Sequence, residues 1–136
     1  MSATEFKIRV ITPAEEVVST TVSAAVLPAF DGERGILPGH QDFIGRLGTG
    51  VLRLVGKNGD EQRFMVSEGI YEVEGGDVKI LARLGRTPTQ IDLDAQRSAE
   101  KAAEERLQTL SAYSDDYHVV QSELSRARAS IKVLGA

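Results

Sequence analysis

The stretch Val78-Lys79-Ile80-Leu81-Ala82-Arg83-Leu84-Gly85-Arg86-Thr87-Pro88-Thr89-Gln90-Ile91-Asp92-Leu93-Asp94-Ala95-Gln96-Arg97 carries the one change of hydrophobic period in the chain. Before Gly85 the pattern is that of half-buried strands, with a period of two. After Pro88 the residues turn to Ala, Glu, Gln, Arg and Leu, which lose little side-chain freedom in a helix. The break divides the sequence into a β region, 1–86, and a helical region, 87–136.

Towards the N-terminus, Phe6, Ile8 and Val10 alternate with Lys7 and Arg9, so one face of a first strand is expected to be buried and the other wet. Val17-Val18, Val22 and Val26-Leu27 supply β-branched residues for the next strands. Val51–Val55, Arg63–Val66, Ile70–Val73 and Val78–Leu81 read as four more. Asn58-Gly59 and Gly75-Gly76 supply the positive φ angles of tight hairpins between them. Eleven of the thirteen glycines fall between Gly32 and Gly76, a density that marks turns and bulges. Short, evenly spaced strands without helical pattern predict an antiparallel β-sandwich or barrel.

Towards the C-terminus, Thr89 or Asp92 can cap a helix, and Asp92 and Asp94 suit the positive end of its dipole. Ala95, Ala99, Ala102, Ala103, Leu107 and Leu110 form one face, a mostly alanine stripe that lets a partner helix come close. Ser114 or Asp115 can cap a second helix whose seam is Tyr117, Val120, Leu124, Ala127, Ile131 and Leu134, with Gly135 ending it. The expected fold is therefore β + α, a sandwich followed by an antiparallel two-helix hairpin. Such a hairpin buries too little apolar area to stand alone and must lean on something.

At 136 residues the chain suffices for one compact domain and a small appendage. Sixteen Lys and Arg against twenty Asp and Glu give a net charge of -4, so there is no basic field for nucleic acid. Cysteine is absent, which removes disulfides, thiolate nucleophiles and Cys-based zinc sites. The first ten residues carry Glu5, Lys7 and Arg9 and lack an apolar leader core, and no run approaches the roughly 18 apolar residues of a membrane span.

Chemistry is sparse. His40 and His118 are remote in sequence and lack obvious partners for a metal or a catalytic dyad. Ser67 lacks the preceding glycine of a nucleophile elbow. Gly48-Thr49-Gly50 leads into a strand, not a helix, and reads as a turn instead of a phosphate loop. Asp31, Glu33 and Asp42, beside Arg34, fit a solvated loop. What stands out is Phe30-Asp31-Gly32-Glu33-Arg34-Gly35-Ile36-Leu37-Pro38-Gly39-His40, a turn-rich loop expected between strands. Its Ile36 and Leu37 are costly if solvated and useful if docked on a partner; the alternative is a loop folded back over the sandwich edge.

Gly-Glu-x-Gly-Ile-Leu-Pro-Gly-His at Gly32–His40, then Leu47–Gly50, Val66–Val73 and Val78–Ala82, with Phe6–Pro13 at the start, resemble the epsilon subunit of bacterial F-type ATP synthase over nearly the whole chain. The resemblance implies a non-catalytic rotor subunit at the foot of the central stalk, binding the gamma subunit and the c-subunit ring. It places the protein on the cytoplasmic face of the bacterial inner membrane, held peripherally by other subunits.

Carried over position by position, the resemblance implies that Glu33, with Arg34 beside it, faces the c-ring, and that Ile36, Leu37, Pro38 and His40 meet gamma. A local Glu33-Arg34 pair would compete with an intersubunit one. In the family the hairpin folds on the sandwich or extends to restrain ATP hydrolysis. Arg126, Arg128 and Lys132 would then meet the alpha and beta catalytic subunits transiently, or serve as solubilising charges. No cofactor is required. Some bacterial members bind a regulatory ATP at a motif resembling Leu93-Asp94-Ala95-Gln96-Arg97-Ser98, where Asp94 and Arg97 would hold it, although Ser98 stands in place of alanine. Two other readings are a free-standing ligand-binding sandwich with a dimerisation arm, and a small hydrolase using His40 with Asp42.

Overall fold

The computed structural model describes residues 4–135; residues 1–3 and 136, the outermost positions of the two expected regions, lie outside it. Seven strands come first: β1 (Phe6–Ile11), β2 (Glu16–Val22), β3 (Ala24–Ala29), β4 (Gly32–Ile36), β5 (Phe43–Val55), β6 (Glu61–Glu74) and β7 (Asp77–Arg86). A 3-10 turn (Pro88–Gln90) leads into α1 (Leu93–Thr109) and α2 (Asp115–Val133). The strands form one sheet in the order β2-β1-β7-β6-β5-β3-β4, antiparallel except where β1 runs parallel to β7.

Phe6, Ile8 and Val10 enter the core and Lys7 and Arg9 face water, as the alternation requires. The segments Arg63–Val66 and Ile70–Val73, expected as two strands, are one continuous strand, β6. Along it the buried parity inverts: Phe64 and Val66 face the sandwich core before Glu68, Tyr71 and Val73 after Gly69. The inversion falls on two residues with positive φ, Glu68 at 53° and Gly69 at 153°. A Cβ on Gly69 would lie 1.9 Å from the Leu81 carbonyl oxygen, so only glycine fits. β5 changes parity at Gly48-Thr49-Gly50, between Leu47 and Leu52. One sheet thereby folds over a single core, shared by both halves of its long strands.

Two turn expectations divide. Gly75 and Gly76 both take positive φ, as a two-residue hairpin demands. At Asn58-Gly59 only Gly59 does, and the turn is longer, closed by Gly56 donating to the Asp60 carbonyl at 2.8 Å and Gly59 to the Gly56 carbonyl at 2.9 Å.

Asp92 caps α1 by accepting from the Ala95 amide, and Ser114 caps α2 by accepting from Tyr117. α2 is sandwiched. Val120 and Leu124 pack against Ala103, Leu107 and Leu110 of α1, while Ala129 and Val133 pack against Met65, Val51, Leu84 and Ile91. Only the C-terminal half of the expected α1 stripe is its contact face. Ala95, Ala99 and Ala102 are exposed, and of the stripe only Ala103 is buried, with partial cover of Leu107 and Leu110. The face that meets α2 is turned toward Gln96 and Glu100, both half-buried, with Glu100 bonded to Arg128, and Ala99 and Ala102 are left bordering a groove of about 370 Å³ lined also by Arg86, Arg106, Glu123 and Arg126.

Candidate functional site

The expected loop Phe30–His40 is mostly strand. Gly32–Ile36 pairs with β3 as β4, and only residues 37–42 connect to β5. Leu37, Pro38, Gly39 and His40 form a turn in which the His40 amide donates to the Leu37 carbonyl at 3.1 Å. Pro38 and Gly39, with φ of 83° at the glycine, have the residue types and sign of a type II turn. Asp42 accepts at 3.0 Å from the Gly75 amide, tying the far end of the segment to the β6–β7 turn. That carboxylate is therefore a structural acceptor, and His40 Nδ1 lies 2.7 Å from the Gln41 carbonyl, not on Asp42.

The structure separates the residues expected to act together here. Ile36 is completely buried and helps to hold the sandwich, so it offers no side chain for docking; Leu37, 64% exposed, does. Pro38 and His40 are half-buried and Glu33 is exposed. Glu33 pairs with Arg53 of β5 at 3.4 Å, not with Arg34. Successive residues of a strand point to opposite faces, which parts the Glu33 and Arg34 side chains. Arg34 instead donates to the Tyr71 hydroxyl at 3.2 Å and lies 4.2 Å over the Phe43 ring.

A second surface escapes the pattern reading. Ile44, Ile70 and Leu81 are 69%, 43% and 41% exposed. Ile70 lies directly opposite Leu81, and Leu81 opposite the half-buried Ile11, so an apolar stripe crosses β6, β7 and β1 on the outer face; on β5 Arg46 stands opposite Ile70, and Ile44, opposite Glu72, lies diagonal to the stripe. Phe30 extends it under the Arg46 guanidinium, 4.2 Å from the ring. The sequence signal is present in Ile70-Tyr71 and Ile80-Leu81-Ala82: consecutive apolar residues on a strand put hydrophobic groups on both faces.

On the hairpin, Arg128 is held by α1, donating to Glu104 at 2.8 Å and Glu100 at 3.3 Å; the bond to Glu104 is the main reason its pKa rises. Arg126 is half-buried and Lys132 exposed at the edge of a cleft with Glu33, Arg53 and Arg63. Asp94 and Arg97 are exposed on the first turns of α1, apart from the groove that Arg86, Arg106 and Arg126 line. Ser67 is buried, with its hydroxyl 2.8 Å from that of Thr49. His118 is exposed. Among the described residues no three acidic or histidine groups converge as metal ligands, and no helix is long and apolar enough to cross a membrane.

Two family descriptions match in succession. The β-sandwich domain of the ATP synthase delta/epsilon chain covers residues 5–84, and its long α-helix domain covers 89–135. The chain is 32% identical to the ATP synthase epsilon chain of Geotalea uraniireducens, over 96% of this chain and 94% of that one. It is 36% identical to that of Alkalilimnicola ehrlichii (91% and 89% covered) and 36% identical to that of Bacillus licheniformis (90% and 91%). In fold it resembles a chain of the Euglena gracilis mitochondrial ATP synthase, with TM-score 0.83, 19% identity and coverage of 98% of this chain and 84% of the other. A chain of the Tetrahymena thermophila mitochondrial ATP synthase central stalk and c-ring gives TM-score 0.61, 18% identity, and 97% and 98% coverage. The sandwich, the hairpin and their order along the sequence thus converge on one conclusion: the chain belongs to the ATP synthase delta/epsilon family.

Proposed function

We propose that this chain is the non-catalytic epsilon subunit of an F-type ATP synthase, a stiff block in the central stalk that passes c-ring rotation to the catalytic head. The observation that carries this reading is the pairing of an outward apolar stripe, Ile70 and Leu81 with Ile44 diagonal to it, with a pinned corner that presents Leu37, His40 and Glu33. Exposed apolar side chains on one face are unfavourable in water, and that cost is relieved when a partner covers them. The stripe and Leu37 meet the gamma subunit, and Glu33 meets a polar loop of the c-ring. Membrane attachment on the cytoplasmic face of a bacterial membrane follows from those contacts alone.

The hairpin is the regulatory part. Its C-terminal half rests on the sandwich through small side chains, Ala129, Ser130 and Val133. That contact is modest enough for a competing surface on the alpha and beta subunits to displace, if it binds the released form more tightly. Release would free Lys132 and Arg126, and Arg128 once it leaves Glu100 and Glu104. A regulatory ATP would use Asp94 and Arg97 at the start of α1, with the nearby interhelical groove lined by Arg86, Arg106, Glu123 and Arg126 as a further source of cations.

The test is assembly of the rotor with Ile70→Glu and Glu33→Lys variants. Loss of gamma association by the first and of ring coupling by the second is expected. A rotor that assembles and couples normally with both would refute the docking surfaces.

A further inference from the structure

We propose that Arg34 is a positioning residue, a clamp that fixes segment 37–42 in the orientation it needs for docking. The proposal rests on the reading that this segment docks on a rotor partner. The Arg34 guanidinium makes two contacts of different kind. Its Nη1 donates to the Tyr71 hydroxyl at 3.2 Å, and its carbon lies 4.2 Å over the Phe43 ring. The Phe43 and Tyr71 rings are themselves stacked, 5.9 Å apart and inclined by 29°.

These three side chains come from β4, β5 and β6, and two of them bracket the docking segment in sequence. Arg34 lies three positions before Leu37, and Phe43 immediately follows Asp42. Ile36, buried without exposure, fixes the segment's start, and the Asp42 bond to Gly75 ties its end. The Arg34–Phe43 contact closes the base between those two anchors. The neighbourhood is fitted to it: Gly45 lies opposite Tyr71 on the adjacent strand, where a Cβ would come 2.3 Å from the ring.

Arginine is the side chain that satisfies both contacts at once. A guanidinium can donate in its plane while presenting its face to a ring; a lysine ammonium is a point charge and cannot do both. A leucine would cover Phe43 but leave the buried Tyr71 hydroxyl without its donor. With the guanidinium so engaged, Arg34 acts on rotor docking through the segment it holds, and Glu33 is left as the charge presented outward.

The experiment uses the full chain and amide hydrogen exchange at His40 and Gly75, whose N–H groups are bonded to Leu37 and Asp42. Arg34→Leu combined with Tyr71→Phe removes both members of the bond, so no hydroxyl is orphaned and the fold is retained. Exchange at His40 and Gly75 should rise about tenfold, the size of a cation–π contact made by a half-buried guanidinium, with the amides of Ile8 and Leu52, in the core and away from Phe43 and Tyr71, unchanged. Arg34→Lys, which keeps the charge, should behave like the double variant. Unaltered exchange in the double variant, equal acceleration of the core amides, or full retention by lysine would each overturn the proposal. Association with purified gamma, measured in parallel, should weaken several-fold in the double variant; undiminished association would also overturn it. Failure of the wild-type chain to associate would count against the docking reading, while the exchange result still decides whether Arg34 holds the segment.

Discussion

The Arg86 guanidinium donates to the Ser130 hydroxyl at 3.2 Å, and among the described residues this is the only side-chain hydrogen bond joining the strands of the sandwich to α1 or α2. Ser130 is fully buried, and its own hydroxyl donates a hydrogen bond to the Arg126 carbonyl at 2.9 Å. Arg86 sits there at a cost: burial, and then the like charge of Arg126, lower its pKa from the ordinary arginine value. The hairpin is thus docked by a polar contact and opposed by a charge pair at the same place.

Ser130→Ala should weaken docking by about 1–2 kcal/mol, since a charged donor loses its buried acceptor. Arg126→Gln should strengthen docking by removing the repulsion. Hydrogen exchange along α2, compared with the core strands, separates the two. Docking should be flat through neutral pH, because Arg86 is protonated in both states. Its lowered pKa means that the docked form releases the proton first, so docking should strengthen only as the pH rises through that value in strongly alkaline solution.

Glu33 is held at the corner by Arg53, at 3.4 Å, with the Glu33 side chain exposed and that of Arg53 half-buried, so the pair contributes at most about 1 kcal/mol to folding. Arg53→Gln should leave the melting temperature nearly unchanged while freeing Glu33. Association with the polar loop of the c-ring should then change in affinity and in its sensitivity to salt, which binding isotherms at two ionic strengths would show.

Gly69→Ala should cost about 3 kcal/mol or more in urea unfolding. Its methyl group would collide with the Leu81 carbonyl at a φ of 153°. Replacing Gly59, where a Cβ would meet nothing, should cost less, through its φ of 85° alone.

Ile70→Glu should cost about 1 kcal/mol in stability, because the side chain is only 43% exposed and faces Leu81, yet leave the chain folded and abolish binding to gamma in a pull-down. An equally small effect on both would remove the stripe from the docking surface.

Much of this molecule is legible without coordinates because its local signals agree. The alternation of Phe6 to Val10 and the capping residues Asp92 and Ser114 each act within one element, where sequence neighbours decide the outcome. The errors arise where distant segments decide. Nothing near Arg34 announces Tyr71, and its adjacency to Glu33 suggested a pair that strand geometry forbids. The alanine stripe of α1 has the right spacing, but α2, from elsewhere in the chain, meets the helix on the side of Glu100, Ala103 and Leu107 and leaves Ala95, Ala99 and Ala102 in water. β4 was hidden by its glycines, which read as loop until pairing with β3 supplied the missing partner.

The unbroken run of β6 through its change of parity bears on how the block withstands force. Because β5 and β6, thirteen and fourteen residues long, pair along their whole length, a tug applied lengthwise at one end strains many ladder bonds in shear together instead of peeling them singly. A turning shaft built on such strands can deliver a twist without coming apart one rung at a time.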